Sequence, residues 1–157
     1  MVKRTRLDDS DCPVARSVDT IGDWWSLLIV RDAFDGSRRF GQFQRSLGVA
    51  KNILAARLRA LVAAGIFEVV PAADGSAYQE YVLTPKGRDL FPVIVALRQW
   101  GETHSFTPGE PHSRLVDRLT GRPLAPLRVE ADDGRAVEPG DTVVIKVDRE
   151  SPRAKSG

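Results

Sequence analysis

Residues 36–67 read GSRRFGQFQRSLGVAKNILAARLRALVAAGIF, and the rest of the chain is organised around them. The stretch holds Arg38, Arg39, Arg45, Lys51, Arg57 and Arg59 and no Asp or Glu. With 21 acids among 157 residues, a run of this length would hold about four. Two short apolar-periodic segments lie inside it, separated by Leu47-Gly48-Val49. A short helix, a tight turn and a second helix with unopposed positive charge is a shape that enters a DNA major groove. The plainer reading is a helical hairpin whose solvated face is basic.

Working outward, composition bounds what the chain can be. At 157 residues with 42% hydrophobic and 28% charged side chains, it is long enough for one ordinary core with an appendage. No apolar run approaches the length of a membrane span, and the N-terminus has basic residues but no apolar stretch behind them, so we expect no signal peptide and a cytoplasmic protein. One cysteine rules out an internal disulfide, and with two separated histidines it argues against a metal site. Net charge is only +2, so any nucleic-acid reading rests on where the charge sits. No paired-carboxylate constellation, phosphate-binding loop or nucleophile elbow is visible, which points away from an enzyme and from a cofactor.

Before the opening stretch, residues 1–11 are polar and read as a flexible N-terminus. Asp11 or Cys12 followed by Pro13 marks a helix start, because Pro is tolerated at the first helical position. Val14, Val18, Ile21, Trp25 and Leu28 recur at helical spacing. Asp23 is a cap for a second helix, Trp24–Phe34, apolar on nearly all sides and therefore expected at the buried centre. Within the opening stretch, Phe40–Leu47 is the short helix, Gly48 the turn, and 50–64 the next helix. Leu54, Leu58, Leu61 and Val62 point inward there, and Gly65 follows as a left-handed terminator.

Two β-rich runs, 66–70 and 78–83, come next and flank a small-residue tip, which predicts a β-hairpin. Helices followed by a hairpin make a winged helix-turn-helix. Thr84-Pro85 caps a further helix over 85–103, with a kink or break at Pro92. Its stripe Leu90, Val93, Ile94, Leu97 and Trp100 needs a partner, naturally a second subunit. From residue 106 helical periodicity disappears. Residues 116–126 align with 129–139 at a period of 13, which suggests two strand–turn–strand copies, then a strand over 142–147 and a disordered tail over 151–157. The expectation is an α/β fold, mainly α. It comprises a winged helix-turn-helix over 12–104 with dimerisation helices, then a small β-rich C-terminal extension over 105–150.

The ordered set Cys12-Pro13, Ile21-Gly22-x-Trp24, Leu28-Ile29, Arg39-Phe40, Leu54, Arg57-Leu58, Gly65-Ile66, Glu80-Tyr81-x-Leu83-Thr84, Gly87 and Trp100 resembles the HxlR-type winged-helix transcriptional regulators, relatives of the MarR group. The resemblance covers residues 12–102. It departs from the family at Asp23, where Lys is usual, at Ala50 and Ala55, where Ser or Thr is usual, and at Asp74-Gly75, where the wing tip usually has a proline. Without a hydroxyl at Ala50 the helix loses about 1 kcal/mol of capping together with a phosphate or base contact.

The resemblance implies a sequence-specific transcriptional regulator, a repressor, acting as a homodimer on a pseudo-palindromic operator. Arg38, Arg39 and Arg45 would position the DNA backbone. Lys51, Asn52, Ala55 and Ala56 would read bases, since Asn pairs with adenine, Lys donates to guanine and alanine methyls touch thymine. Arg59 either reaches phosphate or is simply exposed, and Arg57 is either a DNA contact or a structural ion pair. Gly75 and Ser76 lie in the wing, near the minor groove. Val14, Val18, Leu90, Ile94, Leu97 and Trp100 are the dimerisation set.

Cys12, at a helix N-terminus with Arg16 one turn on, is either a redox-sensing thiol or an inert one. Trp24, Trp25 and Trp100 read as core and interface anchors, with a small-molecule effector pocket between the dimer helices as the other option. The rival function is a protein-interaction module working through the C-terminal extension. Deleting residues 106–157 separates the two, because DNA binding should largely survive in the first case.

Overall fold

The computed structural model describes residues 6–148. The chain divides into two compact units, the first ending at Glu110 and the second beginning at Pro111. Part of the N-terminal segment and the whole 151–157 tail lie outside the described residues.

The first unit is mainly helical. Helix α1, Pro13–Ile21, starts from an extended Cys12 that offers no side-chain cap. Helix α2, Trp24–Phe34, is capped by Asp23, whose Oδ1 accepts from the Ser26 amide at 2.9 Å. Ile29 and Val30 are fully buried, because α2 packs against α1 and against three of the helices that follow it. The apolar character of this segment all round is what places it at the centre. Trp24 is the exception: it is 73% exposed and meets Trp25 edge to face.

Helix α3, Phe40–Leu47, buries Phe43 and ends at Gly48 in the left-handed region (φ 62°). A side chain resists that conformation, so glycine sets the sharp turn into α4. Helix α4, Lys51–Ala63, buries Leu54, Leu58 and Leu61. It closes with the Ile66 amide donating to Leu61 O (2.9 Å) and the Gly65 amide to Val62 O (3.0 Å). That pair of bonds satisfies the last carbonyls and delivers the chain directly into the wing.

Strands β1, Phe67–Pro71, and β2, Gln79–Leu83, pair antiparallel from Phe67 opposite Leu83 to Pro71 opposite Gln79. Phe43 bridges helix and sheet, edge-on to both Phe67 and Tyr81. The expected helix over 85–103 is broken into α5, Pro85–Arg88, and α6, Phe91–His104, with Pro92 in the first turn of α6. Gly87 is buried, and a Cβ there would sit 2.2 Å from Ile66 O. Only glycine lets α5 come this close to the turn before β1.

In the second unit the 13-residue period appears as two hydrogen-bonded turns closed by single bridges, Val116 with Pro123 and Glu130 with Ala136. Asp117 ties its turn with bonds to the Leu119 amide (2.8 Å) and the Thr120 hydroxyl (2.9 Å). The full strands expected in these copies shrink to bridges, and the strand expected over 142–147 does not form among the described residues. A strand needs a neighbour to satisfy its ladder, and no ladder to this segment forms among the described residues.

Candidate nucleic-acid interface

Helix α4 presents two opposed faces. Its leucines close the core, while Lys51, Asn52, Ile53, Ala56 and Arg59 are exposed and Ala55 is half-buried. Ala50 precedes it without any side-chain cap, as expected from the missing hydroxyl. Ile53, 39% exposed, was not among the expected contacts. Its signal was an isoleucine that falls off the Leu54–Leu58–Leu61 stripe. Arg45 is exposed in the last turn of α3.

Arg38 and Arg39 are held by acids of the wing rather than left free. Arg38 Nε lies 2.7 Å from Glu80 Oε2, and Glu80 is buried. Arg39 reaches Asp74 Oδ2 at 2.6 Å and Glu80 Oε1 at 3.6 Å, with its guanidinium over the Tyr78 ring, 5.2 Å from the centroid. Main-chain bonds reinforce this clasp: the Tyr81 amide donates to Arg38 O at 2.7 Å, and Gln42 Oε1 accepts from both arginine amides. Sequence reasoning missed Asp74, Tyr78 and Glu80 as partners, although Glu80 stood in the recognised pattern.

The clasp shows in the ionisation of its members. The bond to Asp74 pushes Arg39 above its ordinary value, against a smaller opposing effect of desolvation. The Ser76 side chain, the Arg39 guanidinium and the Ser76 amide hold the Asp74 carboxyl well below the usual carboxylate range. The arginine approaches at 2.6 Å and the Ser76 amide at 3.0 Å. Gly75, with φ 73°, forms the exposed tip, and Ser76 is half-buried beside it.

Arg57 Nε lies 3.6 Å from Asp23 Oδ1, an ion pair of the fold. The Asp23 departure therefore has a local cause, since one carboxylate caps α2, accepts from the Ser26 hydroxyl and faces Arg57. The set expected to dimerise divides. Ile94 belongs to the core of the first unit and Leu90 packs against it, whereas Val14, Val18, Leu97 and Trp100 are 48–69% exposed. Phe91 and Val93 join the exposed face of α6. Cys12 is an exposed free thiol. Among the described residues no cluster of three metal-ligating side chains occurs, and no helix is long and apolar enough to cross a membrane.

A short helix, a glycine turn, a second helix with a solvent-facing edge and an antiparallel hairpin define the winged helix-turn-helix class of DNA-binding transcriptional regulators. Residues 20–107 match the model of the HxlR-like helix-turn-helix family, and the chain belongs to that family. It is 43% identical over 113 residues, 72% of each chain, to the uncharacterized HTH-type transcriptional regulator Rv3095 of Mycobacterium tuberculosis. Among solved structures it resembles PA1607, a proposed transcription factor, at 57% identity and a TM-score of 0.85, covering 90% of this chain and 99% of that one. The reduced form of the redox regulator HypR is 32% identical, with a TM-score of 0.55, and covers 60% of this chain and 94% of that one.

Proposed function

We propose that the chain is a homodimeric repressor that binds a pseudo-palindromic operator, with residues 12–104 serving as the DNA-binding and dimerisation domain. One observation carries this reading: the edge of α4 opposite its buried leucines exposes Lys51, Asn52, Ile53, Ala56 and Arg59 with no acid on that helix. In helix-turn-helix proteins the start of the second helix meets base edges. Lys51 and Asn52 supply the polar readout, and Ile53, Ala55 and Ala56 supply apolar contact with thymine methyls. Arg45 and Arg59 reach phosphate, and the Gly75-Ser76 tip approaches the neighbouring minor groove. Arg38 and Arg39 act chiefly as wing anchors and only secondarily as phosphate contacts. The reading assigns the chain no catalytic step and a cytoplasmic location.

The homodimer is supported by the apolar outer faces of α1 and α6, with Val14, Val18, Leu97 and Trp100 as its contacts. Two half-sites would then lie about 10 bp apart, or a multiple of that. Six to ten phosphate contacts would weaken binding about 10³- to 10⁵-fold between 50 and 200 mM salt. Selection of bound sequences from random DNA tests binding, symmetry and spacing together, and enrichment of no two-fold motif would overturn the model. Response to oxidants through Cys12, exposed at the start of α1, is the regulatory part of the proposal. If hypochlorite, quinone or diamide changes operator affinity equally in wild type and Cys12→Ser, that part is wrong.

A further inference from the structure

The second unit leaves its most strand-like segment uncovered. Residues 142–147 read TVVIKV, five of them β-branched, with neither Gly nor Pro. Val143, Val144, Ile145 and Val147 are 85%, 82%, 91% and 64% exposed. Thr142 enters the segment in extended conformation (φ −118°, ψ 153°). β-branched runs gain their stability from cross-strand neighbours, and a long apolar edge left open is a template for another strand.

We infer that residues 142–148 pair antiparallel with the same segment of a second copy of this chain, about a two-fold axis at Ile145. The register follows from charge and pattern. With the axis at Ile145, Val143 faces Val147, Ile145 faces its own counterpart, Val144 faces Lys146 and Thr142 faces Asp148. Every apolar residue of the Val143–Ile145–Val147 face then meets an apolar partner, and no like charges oppose each other. Moving the axis half a residue toward the N-terminus sets Asp141 against Asp148. Moving it half a residue the other way sets Asp148 against Val143, and a full residue sets Lys146 against Lys146. Centring on Val144 instead places Asp141 opposite Val147. A segment complementary to itself in this way suits an isologous interface, in which both subunits offer the same patch.

The inference rests on the homodimer proposed above. An isolated two-stranded ribbon is marginal in water, but joining the subunits elsewhere raises the effective concentration of one strand for the other to the millimolar range. The extension is not general to the likenesses described: PA1607 matches over 90% of this chain, whereas HypR matches over 60%.

The test is disulfide trapping in the full chain carrying Cys12→Ser, so that each introduced thiol stands alone. Residues opposed across the axis place their Cα atoms about 4.5–5.5 Å apart, within the range a disulfide spans. Ile145→Cys should therefore form a covalent dimer under mild copper-phenanthroline oxidation at least tenfold faster than Thr142→Cys. In this register the two Thr142 positions lie about 20 Å apart, six residues along the strand. Mixing Val143→Cys with Val147→Cys chains should trap the mixed pair as well. Sedimentation velocity of the Cys12→Ser chain reads the homodimer separately. A dimer in which Ile145→Cys links no faster than Thr142→Cys overturns the strand pairing alone, and a monomer at micromolar concentration overturns both readings.

Discussion

Replacing Glu80 by Gln tests whether the arginines at the head of α3 belong to the fold or to the DNA. Glu80 is 6% exposed, with carboxylate oxygens 2.7 Å from Arg38 Nε and 3.6 Å from Arg39 Nε. Glutamine keeps the shape but removes the charge, leaving two guanidinium groups facing an amide. Removing one partner of a fully buried ion pair costs about 3–5 kcal/mol. Here the arginine side chains are 49% and 32% exposed, so water replaces part of the lost attraction and the expected loss falls to about 1–2 kcal/mol. For a unit near 100 residues each kcal/mol moves the melting temperature by about 4–8 °C. Thermal unfolding followed by circular dichroism should therefore show a drop of about 5–15 °C. Operator affinity measured well below the new melting temperature should fall less than tenfold, because both cations remain. A melting temperature within 1 °C of wild type would refute the reasoning and return Arg38 and Arg39 to the solvated, phosphate-facing role that the sequence suggests.

Asp74→Asn should reveal the linkage of the outer half of the clasp. A carboxyl whose native pKa is depressed favours the folded chain above its unfolded value of about 3.9, and that contribution is lost as pH falls through the native value. Melting curves of wild type and variant should differ by a constant amount from pH 5 to 8 and begin to approach each other only as pH falls below about 4; parallel curves to pH 2 would contradict this. Gly87→Ala should destabilise by about 1–3 kcal/mol through overpacking, since its Cβ would meet the Ile66 carbonyl, and a urea midpoint equal to wild type would disprove the close approach. Arg45→Ala should lower the slope of log affinity against log salt by about 1.8 for a dimer losing two phosphate contacts, with an unchanged slope removing Arg45 from the interface. Leu97→Asp should shift sedimentation from dimer to monomer at micromolar concentration, and a persistent dimer would move the interface away from α6.

Most helix limits were legible because punctuation residues set them locally. Pro13, Asp23, Gly48, Gly65 and Thr84 each act within a turn of their own position, and Pro92 announced the break before α6. The family pattern was legible for a related reason, since Gly87 has a packing cause that tolerates no substitute. What sequence distance hid was the charge balance of 36–67. That span lacks acids along the chain, yet the hairpin register carries Asp74 and Glu80 back onto Arg38 and Arg39. The dimerisation stripe misled because the interruption between Arg88 and Phe91 separates α5 from α6. Leu90 and Ile94 then fall inward, while Phe91, Val93, Leu97 and Trp100 face out. The strand over 142–147 was read from propensity, which cannot supply the neighbour a ladder requires.

The bond from the Tyr81 amide to Arg38 O, together with the ion pairs at Glu80 and Asp74, bolts the hairpin to the leading edge of α3. Phe43, wedged against Phe67 and Tyr81, locks the same joint from inside. In the proposed repressor dimer, the distance from the reading edge of α4 to the hairpin tip would therefore act as a gauge within each subunit. A signal that loosened its grip on DNA would have little slack to exploit inside that gauge. Its leverage would lie in the angle between two such gauges, set by whatever joins the subunits.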